Sequence, residues 1–449
     1  DGLKGVINVN THRYAVQNVI AEPADRKQAK IKIQPNYELV DNRYWFPAQL
    51  NADMLIADNL VGISHSYIQH IKLEPELDKK TFNRFELEMA DDVKNKSEAF
   101  WNAYRVDTLT EKDKKTYVVI DSIGKESKLD GALNLLMGLR SGKISGKVLT
   151  IDLDRFVDVN RYEGLRLGAG LHTSDQLLNW LSVGGYAAYG FKDKAMKYGG
   201  DALFKLPHHP ETSLRIEYSK DVIESGSTYF MSDRKPTGTE INRAFLVNTM
   251  DGIEKKQASL NFRVLQYLKT TVFLNQQSRS SKNEYRFQKI ENGTPVFSNL
   301  YQFTEAGLAL KFAFREKFAK IADQEFSMGS TYPILWAQVT KGINGFLGGT
   351  YTYTRYDVKL EKSFTISTTG KALVQFSAGY VDGHLPYTLL YAGKGSYKQN
   401  PGNNYFQLSA GNSFETMRFN EFLSNRYASL FCAYHFERYF YMTKYSKPR

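Results

Sequence analysis

From Arg161 to Tyr441 apolar side chains recur at every second position, in segments of about ten residues with polar residues or glycine between, the period of membrane β-strands. In Arg161 to His172, one face carries Leu165, Leu167, Ala169 and Leu171, and the other Arg166, Gly168, Gly170 and His172. One face suits lipid and the other suits water. The clearest segment is Tyr301 to Arg315, where Ala306, Leu308, Leu310, Phe312 and Phe314 oppose Glu305, Gly307, Ala309, Lys311, Ala313 and Arg315. The fold class predicted is mainly β, a transmembrane antiparallel β-barrel with about twelve strands visible. They are placed at 161–172, 180–192, 196–206, 212–220, 238–250, 256–267, 270–289, 301–315, 325–333, 346–365, 370–382 and 427–441.

The chain before about Phe156 has a different texture. Strand-like runs such as Gly5-Val6-Ile7-Asn8-Val9 and Lys30-Ile31-Lys32-Ile33 precede the turn-rich Asn42-Arg43-Tyr44-Trp45-Phe46-Pro47. Residues 91–104, with Phe100 and Trp101, look helical, and Thr108 is the expected N-cap of a second helix opening at Thr110-Glu111. Leu129 to Leu139 continues with apolar residues at helical spacing. This predicts an α+β domain over 1–156, expected in the periplasm, and a barrel over 157–449.

Strands of a barrel alternate in direction, so every second connection lies on one side. With the first domain in the periplasm and the first strand running outward, Asp193 to Ala195, Tyr267 to Lys269 and Thr368 to Gly370 become short periplasmic turns. The long segment 382–426 then falls on the extracellular side, and a loop of that length is expected to have a role of its own.

Composition agrees with this reading without proving it. Mean hydropathy is −0.45, and no run approaches the roughly 18 apolar residues of a membrane helix, which excludes a helical membrane protein but not a barrel. Aromatic residues are 14% of the chain, with 29 Tyr and 28 Phe, enough to build interfacial girdles. On composition alone a soluble β-sandwich rich in cross-strand aromatic pairs stands equal to it. The net charge of +11 is spread along the chain without a basic arm or recognition helix, so nucleic acid is not an expected partner. Outer-membrane lipid and lipopolysaccharide are expected partners instead, along with protein partners in an outer-membrane complex. Cys432, the only cysteine, excludes an internal disulfide and a cysteine-based metal site. Neither terminus looks natural: Asp1-Gly2-Leu3 is no signal peptide and the last residues are polar with a proline, so further sequence is expected at both ends.

Four motifs appear in order: Asn42-Arg43-Tyr44-Trp45-Phe46-Pro47; Phe100-Trp101-Asn102-Ala103-Tyr104-Arg105 with Leu109-Thr110-Glu111; Val159-Asn160-Arg161-Tyr162-Glu163-Gly164-Leu165-Arg166-Leu167-Gly168; and Gly184-Gly185-Tyr186-Ala187-Ala188-Tyr189-Gly190 with Asp193-Lys194. Together they resemble an outer-membrane family of Bacteroidota, in which a carboxypeptidase-regulatory-like domain precedes a domain of unknown function. The resemblance implies an outer-membrane location and no particular reaction. More distantly the barrel resembles the surface-antigen superfamily of assembly and translocation barrels, which implies about sixteen strands in the full protein. There the loop between strands eleven and twelve folds back into the lumen and carries an Arg-Gly-aromatic motif. Arg418, Phe419, Asn420, Glu421 and Phe422 match that motif best, with Asn420 where the glycine is expected. Read from its residues alone, an arginine flanked by aromatics in a long loop would reach a carboxylate on the inner wall and hold the loop as a plug. A solvated surface loop is the alternative.

Catalytic and metal motifs are missing. There is no HExxH, no G-x-S-x-G and no Walker A sequence, so no enzyme activity and no cofactor are expected. His208-His209 sits between prolines and reads as an exposed turn. Asp152 and Asp154 on one side of a strand would suit calcium, but lack a third acidic partner. Two functions remain. One is assistance in assembly, insertion or translocation of outer-membrane or surface molecules, alone or as a subunit of a larger complex. The other is a passive diffusion channel with a polar inner face carrying Arg166, Lys192, Lys197, Arg215, Glu217, Lys311 and Arg315.

Overall fold

The computed structural model describes residues 3–11, 14–23, 29–56, 60–76, 85–88, 93, 96–126, 138, 142–206, 209–227, 229–231, 242–265, 267–282, 284–291, 293–321, 324–366, 370–397 and 410–436. The chain divides into two compact units, 1–83 with 90–116, and 84–89 with 117–449.

The first unit is an antiparallel meander of β1 (Leu3–Val9), β2 (Val16–Pro23), β3 (Ala29–Val40), β4 (Tyr44–Ile56) and β5 (Leu60–Tyr67), paired in sequence order. It also holds helix α1 (Glu98–Tyr104), capped by Ser97, whose hydroxyl accepts the Phe100 N–H at 3.2 Å. Consecutive residues Val6 and Ile7 are 56% and 62% exposed, so both faces of β1 are open. None of the described side chains of this unit is buried. Helix α2 (Glu111–Glu126) begins within it. Its cap is Thr110 rather than the expected Thr108: Thr110 Oγ1 accepts from the Asp113 N–H at 3.2 Å, and the Asp113 carboxylate accepts from the Thr110 N–H at 2.9 Å. The hydrogen bonds from Thr110 hold the Asp113 carboxyl below its ordinary value. Apart from Gly138, the run Leu129 to Leu139 lies outside the described residues, as does His208.

The second unit contains β6 (Phe85–Glu88), β7 (Lys143–Ser145), β8 (Leu149–Asp152), β9 (Val157–Asn160), β10 (Gly164–Thr173), β11 (Leu181–Gly190), β12 (Ala195–Leu206) and β13 (His209–Glu224). A short helix α3 (Asn242–Leu246) precedes β14 (Met250–Leu265) and β15 (Leu268–Ser280). The hairpin β16 (Phe287–Glu291) and β17 (Thr294–Ser298) leads to β18 (Leu300–Ala313), and the pair β19 (Lys317–Ile321) and β20 (Gln324–Gly329) to β21 (Ile334–Gly342). Then follow β22 (Tyr353–Ile366), β23 (Gly370–Asp382), the short β24 (Tyr391–Ala392), β25 (Gly395–Tyr397), β26 (Phe414–Arg418) and β27 (Leu423–Ser424), and finally β28 (Arg426–Phe436).

One large sheet dominates, in the order β28-β23-β22-β21-β18-β15-β14-β13-β12-β11-β10-β8-β7, with β9 also pairing β10. All of its pairs are antiparallel. Its polarity is inverted relative to a soluble sheet. The register aligns Phe204, Leu214, Leu260, Val272, Leu308, Val339, Tyr356 and Tyr380 in one cross-strand row, every member exposed. On the opposite face Asp201, Glu217, Gln257, Asn275 and Glu305 form a polar row, with Gln257, Asn275 and Glu305 buried. In β10 the faces divide as the alternation predicts, with Leu165, Leu167 and Leu171 exposed and Arg166 buried.

Three expectations need correction. The strand expected at 238–250 is not found among the described residues: Asn242–Leu246 is helical and β14 starts only at Met250. The one expected at 325–333 is displaced, because β20 pairs into a small separate sheet with β19 and β6, and the strand of the large sheet is Ile334–Gly342. The strand expected around Asp152 and Asp154, not counted with the barrel, belongs to the large sheet. β8 and β9 lie along β10 as one interrupted antiparallel segment, broken by a 3-10 turn at Leu153–Arg155, so the sheet starts before the expected boundary at 157. Asp152 and Asp154 therefore do not share a strand face.

One strand gained and one lost leave the parity of the later connections unchanged. The ends of the sheet at which β14 passes to β15 and β22 to β23 are the same, and the pair β19 and β20, where β19 carries β6, lies at that end too. The connections 225–249, 281–299, 343–352 and 383–425 share the other, the far end. The turn around Asp193 to Ala195 moves to the far end, opposite to expectation, because it precedes the strand that was wrongly counted. Close approach restricts several wall positions: a Cβ on Gly307 would lie 2.3 Å from the Phe273 ring, its cross-strand partner. Replacing Gly307 by Val is expected to push that ring off the wall and cost about 1–3 kcal/mol, read from the midpoint of denaturant unfolding.

Candidate functional site on the inner face

Buried ionised groups on the inner face sit in linked pairs. Arg166 holds the Asp221 carboxylate with two parallel hydrogen bonds of 2.8 and 2.9 Å and lies 3.5 Å from Glu163. Lys197, 2% exposed, reaches Glu163 at 2.9 Å and Asp193 at 2.6 Å, and Tyr186 donates to Asp221 at 2.6 Å. Beside this cluster His172 is placed between Asp152 and Asp201, 2.8 and 2.9 Å from its two ring nitrogens, and Arg215 lies 3.6 Å from Asp201. Glu217 pairs with Lys255, and Lys311 with Glu316 at 2.7 Å. Five of the seven expected inner-face residues thus lie on the polar wall. Lys192 and Arg315 do not: both are exposed turn residues, Lys192 donating to the Arg161 carbonyl and Arg315 stacking over Phe314 at 5.5 Å.

Two segments from far-end connections occupy this face. Residues 229–231 bring Phe230, 7% exposed, against Lys359, and the Met231 N–H donates to Gln338 at 3.0 Å. Residues 384–397 come from the long connection after β23. Tyr387 donates to Asp251 at 2.5 Å and meets Ser281 at 3.1 Å; Arg279 donates to the Thr388 carbonyl at 2.7 Å; Tyr391 donates to Asp357 at 2.9 Å. The Ala392 N–H reaches the Gly226 carbonyl at 3.1 Å, joining the two connections. On a flat sheet β13 and β22, five strand spacings apart, would stand about 24 Å from each other. That one short segment is held from both sides means the sheet curls around it.

The packing is aromatic. Phe287, Tyr301, Phe303, Tyr351, Tyr353, Val381, Leu385, Leu389 and Tyr391 form one buried cluster at the far end, and Tyr353 donates to Glu305 beneath it. Burial and the bond to Asp251 push the Tyr387 phenol up to about 12. The expected plug motif lies elsewhere. Arg418 is exposed, forms no salt bridge among the described residues, and donates its backbone N–H to Glu421 at 2.8 Å; Phe422 is 63% exposed. Asn420 donates to Thr249 at 2.6 Å and Arg243 stacks over Phe419 at 5.1 Å. The long loop does enter, but through Leu385-Pro386-Tyr387 and Tyr391. Aromatic hydroxyls spaced along an apolar run were the available signal.

Residues 143–444 match the C-terminal domain model of a family of unknown function, DUF5686. The chain belongs to the DUF5686 family. No curated protein matches it. Among solved structures the DUF5686 chain is similar to BamA from Haemophilus ducreyi lacking POTRA domains 1–3, at 12% identity and TM-score 0.33, covering 53% of this chain and 43% of that one. It is also similar to OmpT of Vibrio cholerae in its trimer form, at 11% identity and TM-score 0.26, covering 88% and 93%. A third is OccK5 (OpdH) of Pseudomonas aeruginosa, at 10% and 0.28, covering 82% and 85%. The DUF5686 chain thus spans less than half the length of the BamA chain.

Removing the Tyr387 hydroxyl strands a fully buried carboxylate, Asp251. Tyr387→Phe is therefore expected to weaken the docking of 384–397 by about 1–3 kcal/mol, seen as faster amide hydrogen exchange confined to that segment. Because the phenol is raised, its contribution is present below the ordinary value of 10.0 and is lost as pH rises toward about 12, a loss absent from the Phe variant.

Proposed function

We propose that this DUF5686 chain is an outer-membrane β-sheet protein that assists assembly, insertion or translocation of outer-membrane or surface molecules. The observation that carries the reading is the docking of 384–397 across the inner face, with the aromatic cluster over the far end. A diffusion channel needs a continuous wet path there. The inverted polarity of the large sheet supports the membrane placement, since the exposed row through Leu214, Leu260, Val272 and Leu308 has no water-compatible reason to be continuous. With the short-turn end toward the periplasm, the far-end loops face outward. The first unit, with Val6, Ile7 and Ile63 exposed and no described side chain buried, suits the docking of a client or partner. Nothing in the inner-face clusters assembles a nucleophile with a base and an orienting group, so a catalytic role is not part of the proposal.

The passive channel remains the second reading because the inner wall is charged, through Arg166, Lys197, Asp221 and Glu305. Conductance in planar bilayers separates the two. The intact chain is expected to give no large steady pore, and deletion of 384–397 to open one; a large steady pore from the intact chain overturns the assembly reading. Membrane placement has its own test. Leu308→Arg, on the outer face, is expected to cost about 2–4 kcal/mol of folding stability in lipid vesicles, and an unchanged urea midpoint would count against it.

A further inference from the structure

The outer face changes character between two neighbouring cross-strand rows. Ala202, Ile216, Ala258, Leu274 and Ala306 align in one, and Gly200, Tyr218, Lys256, Gln276 and Thr304 in the next. The row beyond holds Tyr198, an aromatic of the kind that sits at such a boundary, and then Lys220, Glu254, Ser278 and Gln302. Apolar wall thus gives way to polar wall at Lys256 and Gln276, as at a membrane–water boundary. Over this line the connection 343–352 folds outward. Leu347, at φ 45°, is pinned there by its carbonyl, which accepts from Gln276 at 2.7 Å and Thr304 at 3.3 Å. The overhang leaves a groove of about 670 Å³, with small Ala202 and Ala258 at its floor and Val183, Ile216, Leu274 and Leu347 around it. A polar depression of about 430 Å³ adjoins it, sharing Lys256, Gln276 and Leu347 and adding Glu254, Ser278 and Gln302. Lys256 is exposed and has no salt-bridge partner among the described residues.

We propose that this two-part groove is a binding site for an anionic, phosphate-bearing membrane lipid, one acyl chain lying over Ala202 and Ala258 and the phosphate meeting Lys256. An acyl chain needs a continuous apolar channel, which the Ala floor and the Leu347 overhang supply. A headgroup needs a cation at the boundary, with amide and hydroxyl groups beyond it, which Lys256, Gln276, Ser278 and Gln302 supply. The inference rests on the membrane placement proposed above and adds a defined site to it.

Native mass spectrometry of the full chain in neutral detergent tests the site, with dimyristoylphosphatidylglycerol and dimyristoylphosphatidylcholine as probes. The wild type is expected to retain the anionic probe about five- to tenfold better, Lys256→Gln to lose that preference, and Ala258→Phe to lose retention of both. Each variant is first checked for the heat-modifiable gel mobility of the wild type; Gln276→Ala, which frees Leu347, gives a second route to the same loss. Equal retention of the two probes by the wild type, or an unchanged preference in Lys256→Gln, overturns the proposal. Flotation with vesicles reads the membrane placement separately: failure to float with lipid selectivity intact in detergent defeats the placement, and flotation without selectivity defeats the site.

Discussion

Everything in the large sheet depends on keeping buried charge paired on a concave face whose convex side is apolar. Lys197 at 2% exposure is tolerable only because Glu163 and Asp193 both reach it, and Arg166 because Asp221 meets it with both oxygens. An isolated ion so placed would cost several kcal/mol, and removing one partner of such a pair typically costs about 3–5 kcal/mol. The pairs link strands distant in sequence: Arg166 is on β10 and Asp221 on β13, with β11 and β12 between them. Such pairs hold only when the register is right and the sheet is curved. They specify the wall's geometry more than they stabilise it, because the attraction mainly offsets the desolvation it requires.

The same constraint explains which features were legible in the sequence. Where inner positions are polar or glycine, as Arg166, Gly168, Gly170 and His172 are, period-two alternation is unambiguous and β10 was placed to within a few residues. It failed at β21, where Trp336 faces the inner side and stacks against Lys359 at 4.0 Å, so that an apolar residue occupies a polar phase. It failed again at β8 and β9, where the 3-10 turn at Leu153–Arg155 interrupts the pattern. The uncounted strand at 149–160 and the false one at 238–250 offset each other in parity. The long loop therefore keeps its end of the sheet, whereas the turn between β11 and β12, which follows the first of these segments and precedes the other, changes ends.

What pattern alone does not reveal is the destination of a loop. The connection at 343–352 and the one beginning at His384 leave the same end of the sheet, one folding outward and the other inward. Their side chains decide. Ile343-Asn344-Gly345-Phe346-Leu347-Gly348-Gly349 offers apolar tips and a backbone carbonyl; the outer face offers apolar contact and two donors for that carbonyl, the Gln276 amide and the Thr304 hydroxyl. Leu385-Pro386-Tyr387-Thr388-Leu389-Leu390-Tyr391 offers phenols, and the inner face holds Asp251 and Asp357, carboxylates that need donors. Exchanging the destinations would bury Phe346 and Leu347 against Asp251 and Asp357, leaving Asp357 with Arg355 alone, and would carry two tyrosine hydroxyls away from their acceptors, a cost on both sides. The arginine-centred motif at Arg418 was a plausible anchor on charge alone, but a wall already rich in paired Arg and Lys is short of hydroxyl donors rather than of cations. For this wall a tyrosine is the better key, because it brings the missing hydrogen and fills apolar space with the ring that carries it.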